Sequence, residues 1–225
     1  MDIDDLLAEV TADAVPQQQR DLQELTRAWI AERVAPELLP YPAELMERVL
    51  ERIRRQIELV EDQTGNLDPK ANFKLIIIQT ELERFKFLVR SFLRARIKKI
   101  DTHPLHLLAL HQNPPSSTSI LNPLLSPSEL QYLNTHQSLL STHYSSSFLS
   151  QFPNSLQRLD DTAGGISMVD KPDEETAVFV RCLRDVGEVW VEGTDNRFQM
   201  KRGDVWVVRW SAVRGWVGEG SCELI

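Results

Sequence analysis

The stretch from Asp68 to Asp101 constrains what the rest of this chain can be. Turned at 100° per residue, Leu75, Ile78, Leu82, Phe85, Val89, Phe92, Leu93, Ile97 and Ile100 fall on one face, the pattern of an amphipathic helix. At the rise of an α-helix, some thirty residues make a rod of about 45 Å, longer than the core of a small domain needs. Ile76 and Phe87 fall on the opposite side. One covering layer would leave these large apolar groups in water, so a second contact surface is implied. Arg84, Lys86, Arg90, Arg94, Arg96, Lys98 and Lys99 crowd into the same stretch. Arg96 projects into the apolar face itself and needs a partner there. Glu37 is the expected partner, because an antiparallel neighbour brings the end of the long helix back toward the APELL segment, Ala35 to Leu39. Ile76 and Phe87, with Arg90 and Arg94, are the candidate interface residues.

Composition narrows the class. Of 225 residues, 42% are hydrophobic, enough for one large or two modest globular domains. A net charge of -8 argues against a nucleic-acid binder acting alone, which would carry a basic balance. Cys182 and Cys222 lack the spacing of a zinc or redox motif and are too few for a disulfide framework. No apolar run is long enough to span a bilayer, and the acidic N-terminus lacks the basic lead-in of a signal peptide, so a soluble, intracellular protein is expected.

Read in order, the chain predicts an α+β protein: an N-terminal all-α helical bundle followed by a small C-terminal β-rich domain. Residues 1–15 form an acidic peptide in which Ile3, Leu6, Leu7 and Val10 recur at helical spacing. The helical domain is expected over 16–158. Its first helix covers Gln17 to Val34, with Trp29 as a core anchor. After Pro36, Pro40 and Pro42, a second helix carries Met46, Val49, Leu50, Ile53, Ile57 and Val60 inward. Thr64, Gly65 and Asn66 end it, and Asp68 with Pro69 opens the long helix. A Pro- and Ser-rich linker follows at about 112–125. Ser126, Pro127 and Glu129 then mark a strong helix start, with Leu130, Leu133, Leu140, Tyr144 and Phe148 as the seam. A hinge at 159–166 leads into the β-domain, 167–225, where AVFVRC, GEVWVE, RFQMK, DVWVVRW and CELI read as strands.

Motifs for chemistry are absent. The chain has no P-loop, no GxGxxG after a strand, no GxSxG elbow and no HExxH helix. His103, His106 and His111 fit no ligand spacing, so no metal and no cofactor is expected. Pro172-Asp173 followed by Glu188-Val189-Trp190 is similar to a metal-dependent nuclease pattern, but Trp190 occupies the position where that pattern needs a lysine. Catalysis is not expected. A second reading gives the basic face of helix 68–101 to a DNA backbone, making the chain a stand-alone nucleic-acid-binding adaptor. Pairing of those bases with neighbouring acids is the competing account, and the acidic net charge favours it.

Five separated pieces resemble one family. ELERFKFLVRSFLRARIKKID at Glu81 to Asp101, WIAERVAPELL at Trp29 to Leu39, LSPSE at Leu125 to Glu129, DKPDEETAVFVR at Asp170 to Arg181, and the terminal SCELI match, in order, the Sld-five subunits of the GINS complex. The stretch after His111 is longer and richer in Ser and Pro than the family pattern. The resemblance implies a heterotetramer with subunits of the Psf one, two and three types. It also implies contacts with the MCM ring and a RecJ-like companion in the replicative helicase, and a place in the nucleus. Asp4, Asp5, Leu6, Leu7, Ala8 and Val10 resemble the short peptide by which such subunits attach to a trimeric polymerase-tethering hub, and Ile3 joins Leu6, Leu7 and Val10 on its expected apolar edge. No membrane contact is implied.

Overall fold

The computed structural model describes residues 16–63, 69–112, 123–158, 168–190 and 197–225. Six helices and five strands occupy these residues in the order α1 (Gln17–Val34), α2 (Ala43–Gln63), α3 (Pro69–Thr102), α4 (Pro104–Gln112), α5 (Pro127–Ser147), β1 (Ala177–Cys182), β2 (Gly187–Trp190), β3 (Arg197–Met200), β4 (Val205–Arg209), α6 (Trp210–Gly218) and β5 (Cys222–Leu224). Five helices therefore precede the strands, the α+β succession that the sequence predicts, and of the described helices α6 alone falls among the strands. Two 3-10 turns, Leu149–Gln151 and Asn154–Leu156, follow α5.

Two compact units are built from this chain, and the division falls inside α1 and α3. One comprises the chain up to Ile30 together with Pro42–Leu93; the other comprises Ala31–Tyr41 and Arg94–Ile225. In the first unit Leu25, Met46, Val49, Leu82, Phe85 and Val89 are buried. Arg48 ties α2 to α1 by donating to Asp21 at 3.1 Å and Glu24 at 3.2 Å. Leu50, expected to face inward, is 39% exposed, while Leu45 is buried in its place. The buried face of α2 is thus turned about the helix axis toward Leu45 and away from Leu50.

The second unit holds two apolar clusters. Leu38, Ile100, Leu107, Leu125 and Leu133 form one. α4 belongs to it and was not foreseen, because its leucines run nearly continuously and hide any helical period. The other cluster sets the strands against the end of α1: Val178, Val180, Val189, Met200 and Trp210 pack with Ala35, and Ala31, Val34 and Leu39 cover them. β1 is central in the sheet β4-β1-β5, antiparallel to both neighbours, and β2 pairs with β3 as a separate hairpin. Gly203 adopts φ +89° in the turn where Asp204 N donates to Lys201 O, which glycine accommodates without strain.

Trp210 corrects the expected last residue of a strand: it opens α6. Trp210 and Val213 are buried, and Trp216 and Val217 half-cover the same core, a helical spacing that follows directly on the alternation of β4. Ile97 also departs from expectation at 38% exposure, since the buried face of α3 turns toward Arg96 and Ile100 near its end. Phe148 is 44% exposed beyond the last turn of α5.

Candidate subunit interface

α3 carries a second apolar stripe. Phe73, Ile76, Ile77 and Phe87 follow helical spacing on the side away from Leu75, Leu82, Phe85 and Val89, and they are 67%, 60%, 50% and 56% exposed. Beside this stripe α1 presents Leu22 and Thr26, and a groove of about 850 Å³ runs between the two helices, with Ile76, Thr80, Phe87 and Leu88 on its α3 wall. Trp29 is half-buried, not a fully enclosed core anchor: its ring meets Phe87 edge-on with centroids 6.5 Å apart. Leaving several large side chains in water costs solvation free energy that a covering surface would recover, on the order of 25 cal/mol per Å².

The basic residues near the groove alternate with acids. Arg84 donates to Glu81 at 2.9 Å, Lys86 to Glu83 at 3.2 Å and Arg90 to Glu83 at 3.5 Å, all on the surface. Such pairs contribute little to stability, but they interrupt any continuous cationic track. Arg94 is exposed on the same helix.

In the second unit the buried face of α3 ends in an ion cluster. Arg96 is fully buried, and its guanidinium uses all of its N–H groups. Nε donates to Glu129 Oε1 at 2.7 Å and Nη2 to Glu129 Oε2 at 3.1 Å, a bidentate pair. Nη1 donates to Glu32 Oε2 at 3.0 Å and to the Leu39 carbonyl at 2.8 Å, and Nη2 also reaches the Leu124 carbonyl at 2.8 Å. The Tyr41 ring lies 5.3 Å away, in cation-π range. Lys99 donates to Glu32 Oε1 and to the Glu37 carbonyl, each at 2.7 Å. Two cations thus meet two carboxylates. Burial pushes the Lys99 ammonium below its ordinary pKa, against the opposing pull of Glu32.

Glu129 performs two tasks at once. It closes the capping box of α5, accepting from Ser126 N at 2.9 Å while its own N–H donates to Ser126 Oγ at 3.2 Å. The same carboxylate grips Arg96.

Glu37 is therefore not the partner of Arg96. Its carboxylate accepts from Arg214 of α6 at 2.8 Å, and only its backbone carbonyl joins the cluster. Burial raises the Glu37 pKa, with Arg214 opposing. The residues missed were Glu32 and Glu129. Glu32 lies seven positions after the buried Leu25, on the inward face of α1, and this spacing was available in the sequence.

Residues Ile3, Asp4, Asp5, Leu6, Leu7 and Val10 lie outside the described residues, as do the core of the expected linker and the expected hinge. Asp173 of the nuclease-like pattern serves local structure, accepting from Glu175 N at 3.0 Å and Thr176 Oγ1 at 3.3 Å. Trp190 stacks beneath Arg197, 3.8 Å from guanidinium carbon to ring centroid. Among the described residues, no group of three or more His, Cys, Asp or Glu side chains converges as a metal site would require.

Fold and surface together define a class: an α+β protein in which a helical bundle with an open apolar groove precedes a small antiparallel β-domain. Comparison makes the class specific. Residues 44–148 match the GINS complex protein helical bundle domain, and residues 172–225 match the DNA replication complex GINS protein SLD5 C-terminus. A relative from Chaetomium globosum, named DNA replication complex GINS protein SLD5, is 54% identical over the whole of both chains. Proteins of the same name from Schizosaccharomyces pombe and Yarrowia lipolytica are 37% and 35% identical across the whole of this chain, covering 99% and 85% of their own lengths. The chain belongs to the SLD5 family of GINS complex proteins.

Proposed function

We propose that this chain is a non-catalytic structural subunit of a heterotetrameric GINS complex, acting in the nucleus to brace the MCM replicative helicase during initiation and elongation of DNA replication. The observation that carries this reading is the second apolar stripe of α3, where Phe73, Ile76, Ile77 and Phe87 stand exposed beside a groove. A helix with two apolar faces is half-finished in a monomer, and a helix from a neighbouring subunit is the natural cover. Ile76 and Phe87 anchor that contact, with Arg90 and Arg94 at its rim.

On this reading the mechanism is rigid positioning. Partners of the Psf one, two and three types complete the tetramer, which contacts the MCM ring and a RecJ-like companion while the motor subunits hydrolyse ATP. The N-terminal peptide attaches separately to a trimeric polymerase-tethering hub: Ile3, Leu6, Leu7 and Val10 form an apolar edge on folding, and Asp4 and Asp5 face a basic rim.

The test is co-expression with the three partner types. A 1:1:1:1 particle is expected, and Ile76→Glu with Phe87→Glu removes this chain from it while leaving helix content intact. Unchanged incorporation of the double variant refutes the placement of the interface. The rival DNA-track reading predicts steeply salt-dependent DNA binding by the isolated chain, against which the acids at Glu81 and Glu83 weigh.

A further inference from the structure

The chain has two cysteines, and the fold places them opposite one another. Cys182 ends β1, Cys222 begins β5, and the antiparallel register pairs them directly. The flanking bonds identify which kind of pair this is. Leu183 N donates to Ser221 O at 2.9 Å, and Ile225 N donates to Phe179 O at 3.2 Å. Those positions are the hydrogen-bonded pairs of the ladder, so Cys182 and Cys222 occupy a non-hydrogen-bonded position between them. There opposed Cα atoms approach to about 4.5 Å and side chains come closest. That spacing lies within the range a disulfide spans.

Both side chains are buried, at 1% and 3% exposure, in the core formed by Val178, Val180 and Leu224. Both are free thiols, and the direct pairing of their positions turns the two side chains toward the same buried space. Burial raises both thiols, and with the neighbouring sulfur it pushes Cys222 up to about 12, so both rest protonated in the closed sheet and Cys182 is the easier of the two to ionise when β5 opens.

We propose that Cys182 and Cys222 form a cross-strand dithiol site that a small-molecule disulfide oxidises to an intramolecular disulfide, tying β5 to the central strand β1. Cys182, as thiolate, attacks one sulfur of the small disulfide; a mixed disulfide forms and one small thiol leaves with the proton. Cys222 then attacks the Cys182 sulfur, its proton passing to the second departing thiol. One disulfide is consumed, one is formed, and two electrons pass from the protein dithiol to the small disulfide, which leaves as two small thiols. Access comes from β5 itself, a three-residue strand with β1 as its partner in the sheet, so local opening breaks few bonds. In a reducing compartment the pair rests as thiols, and a more oxidising poise closes it.

The experiment titrates the full chain, with partner subunits where needed, against mixtures of reduced and oxidised glutathione, natively and in denaturant. Non-reducing peptide mapping reads the products. Both thiols are expected to disappear together, with loss of two hydrogen masses and a single Cys182–Cys222 cross-link. Closure should be favoured by about tenfold or more over the denatured chain, because the sheet holds the sulfurs together. In Cys222→Ser, Cys182 should instead retain a glutathione adduct. Persistent adducts on both cysteines of the native chain, absence of any cross-link, or equal closure in native and denatured chains would each overturn the proposal.

Discussion

Arg96→Ala tests the cluster at its centre. The substitution leaves the Glu32 and Glu129 carboxylates facing a void, with side chains 1% and 8% exposed, and orphans the Leu39 and Leu124 carbonyls. Breaking a buried pair from one side costs about 3–5 kcal/mol, because the remaining charge keeps its desolvation penalty without compensation. Lys99 still holds one oxygen of Glu32, which limits that carboxylate's loss, whereas Glu129 loses both bonds to the guanidinium. The orphaned carbonyls push the other way, and the several effects do not add. Taking about 4 kcal/mol, and about 2–4 °C per kcal/mol for a chain of this size, the unfolding midpoint should fall by about 8–16 °C. Differential scanning fluorimetry of the assembled protein measures this. Arg96→Met paired with Glu129→Gln should recover part of the loss, since the second change removes the stranded charge. A midpoint within 2 °C of wild type for Arg96→Ala, at the precision implied by about 0.5 kcal/mol, would refute the buried placement.

Other perturbations separate the remaining parts. Leu133→Ala empties a fully buried position and should cost about 2–5 kcal/mol in denaturant unfolding. Truncation after Gly165 exposes Ala31, Val34, Ala35 and Leu39, and should sharply lower the yield of assembled complex by size-exclusion chromatography. Deleting Pro114–Ser119 should leave that yield unchanged. Glu37 has a folded pKa raised above its ordinary value of 4.5, so its contribution is full below that value and is lost as pH rises through the folded pKa. Glu37→Gln should remove this falling segment from the stability profile, and profiles that stay parallel from pH 4.5 upward would contradict the assignment.

Sequence reached the helices with clear periods and missed those without them. α1, the long α3 and the capped α5 announce themselves through spacing, Pro at the first turn and Ser126 with Glu129. α4 did not, because Leu105, Leu107, Leu108 and Leu110 supply apolar groups without a polar face. α6 hid behind β4, whose alternation continues into Trp210 before the period changes. The candidate interface was half legible: Ile76 and Phe87 stood out as misplaced on α3, but Phe73 and Ile77 complete the stripe. Arg96 was legible as a buried cation, while its partners were not. Glu32 comes from α1 and Glu129 from the start of α5, separated from Arg96 by 64 and 33 residues. Helical phase says which way a side chain points, but not which distant carboxylate will meet it.

The same cluster explains how one side chain can fix several segments that apolar packing alone would leave free to slide. Apolar burial is non-directional, and leucine-rich contacts such as Leu38, Leu107, Leu125 and Leu133 tolerate small displacements. A planar guanidinium does not, because its N–H groups leave in fixed directions. Here they end on α1 through Glu32, on the following segment through the Leu39 carbonyl, on the approach to α5 through the Leu124 carbonyl, and on α5 itself through Glu129. Glu129 can serve this geometry only while Ser126 holds it in the capping box, so the start of α5 and the end of α3 are set by one carboxylate. Ser126→Ala should therefore cost more than the roughly 1 kcal/mol of an ordinary N-cap, since it also loosens the bidentate grip on Arg96. Measured in the Arg96→Met, Glu129→Gln background, where that grip no longer exists, the cost should drop to the ordinary value. Equal costs in the two backgrounds would mean that cap and ion pair act independently, and that the directional account of Arg96 is wrong.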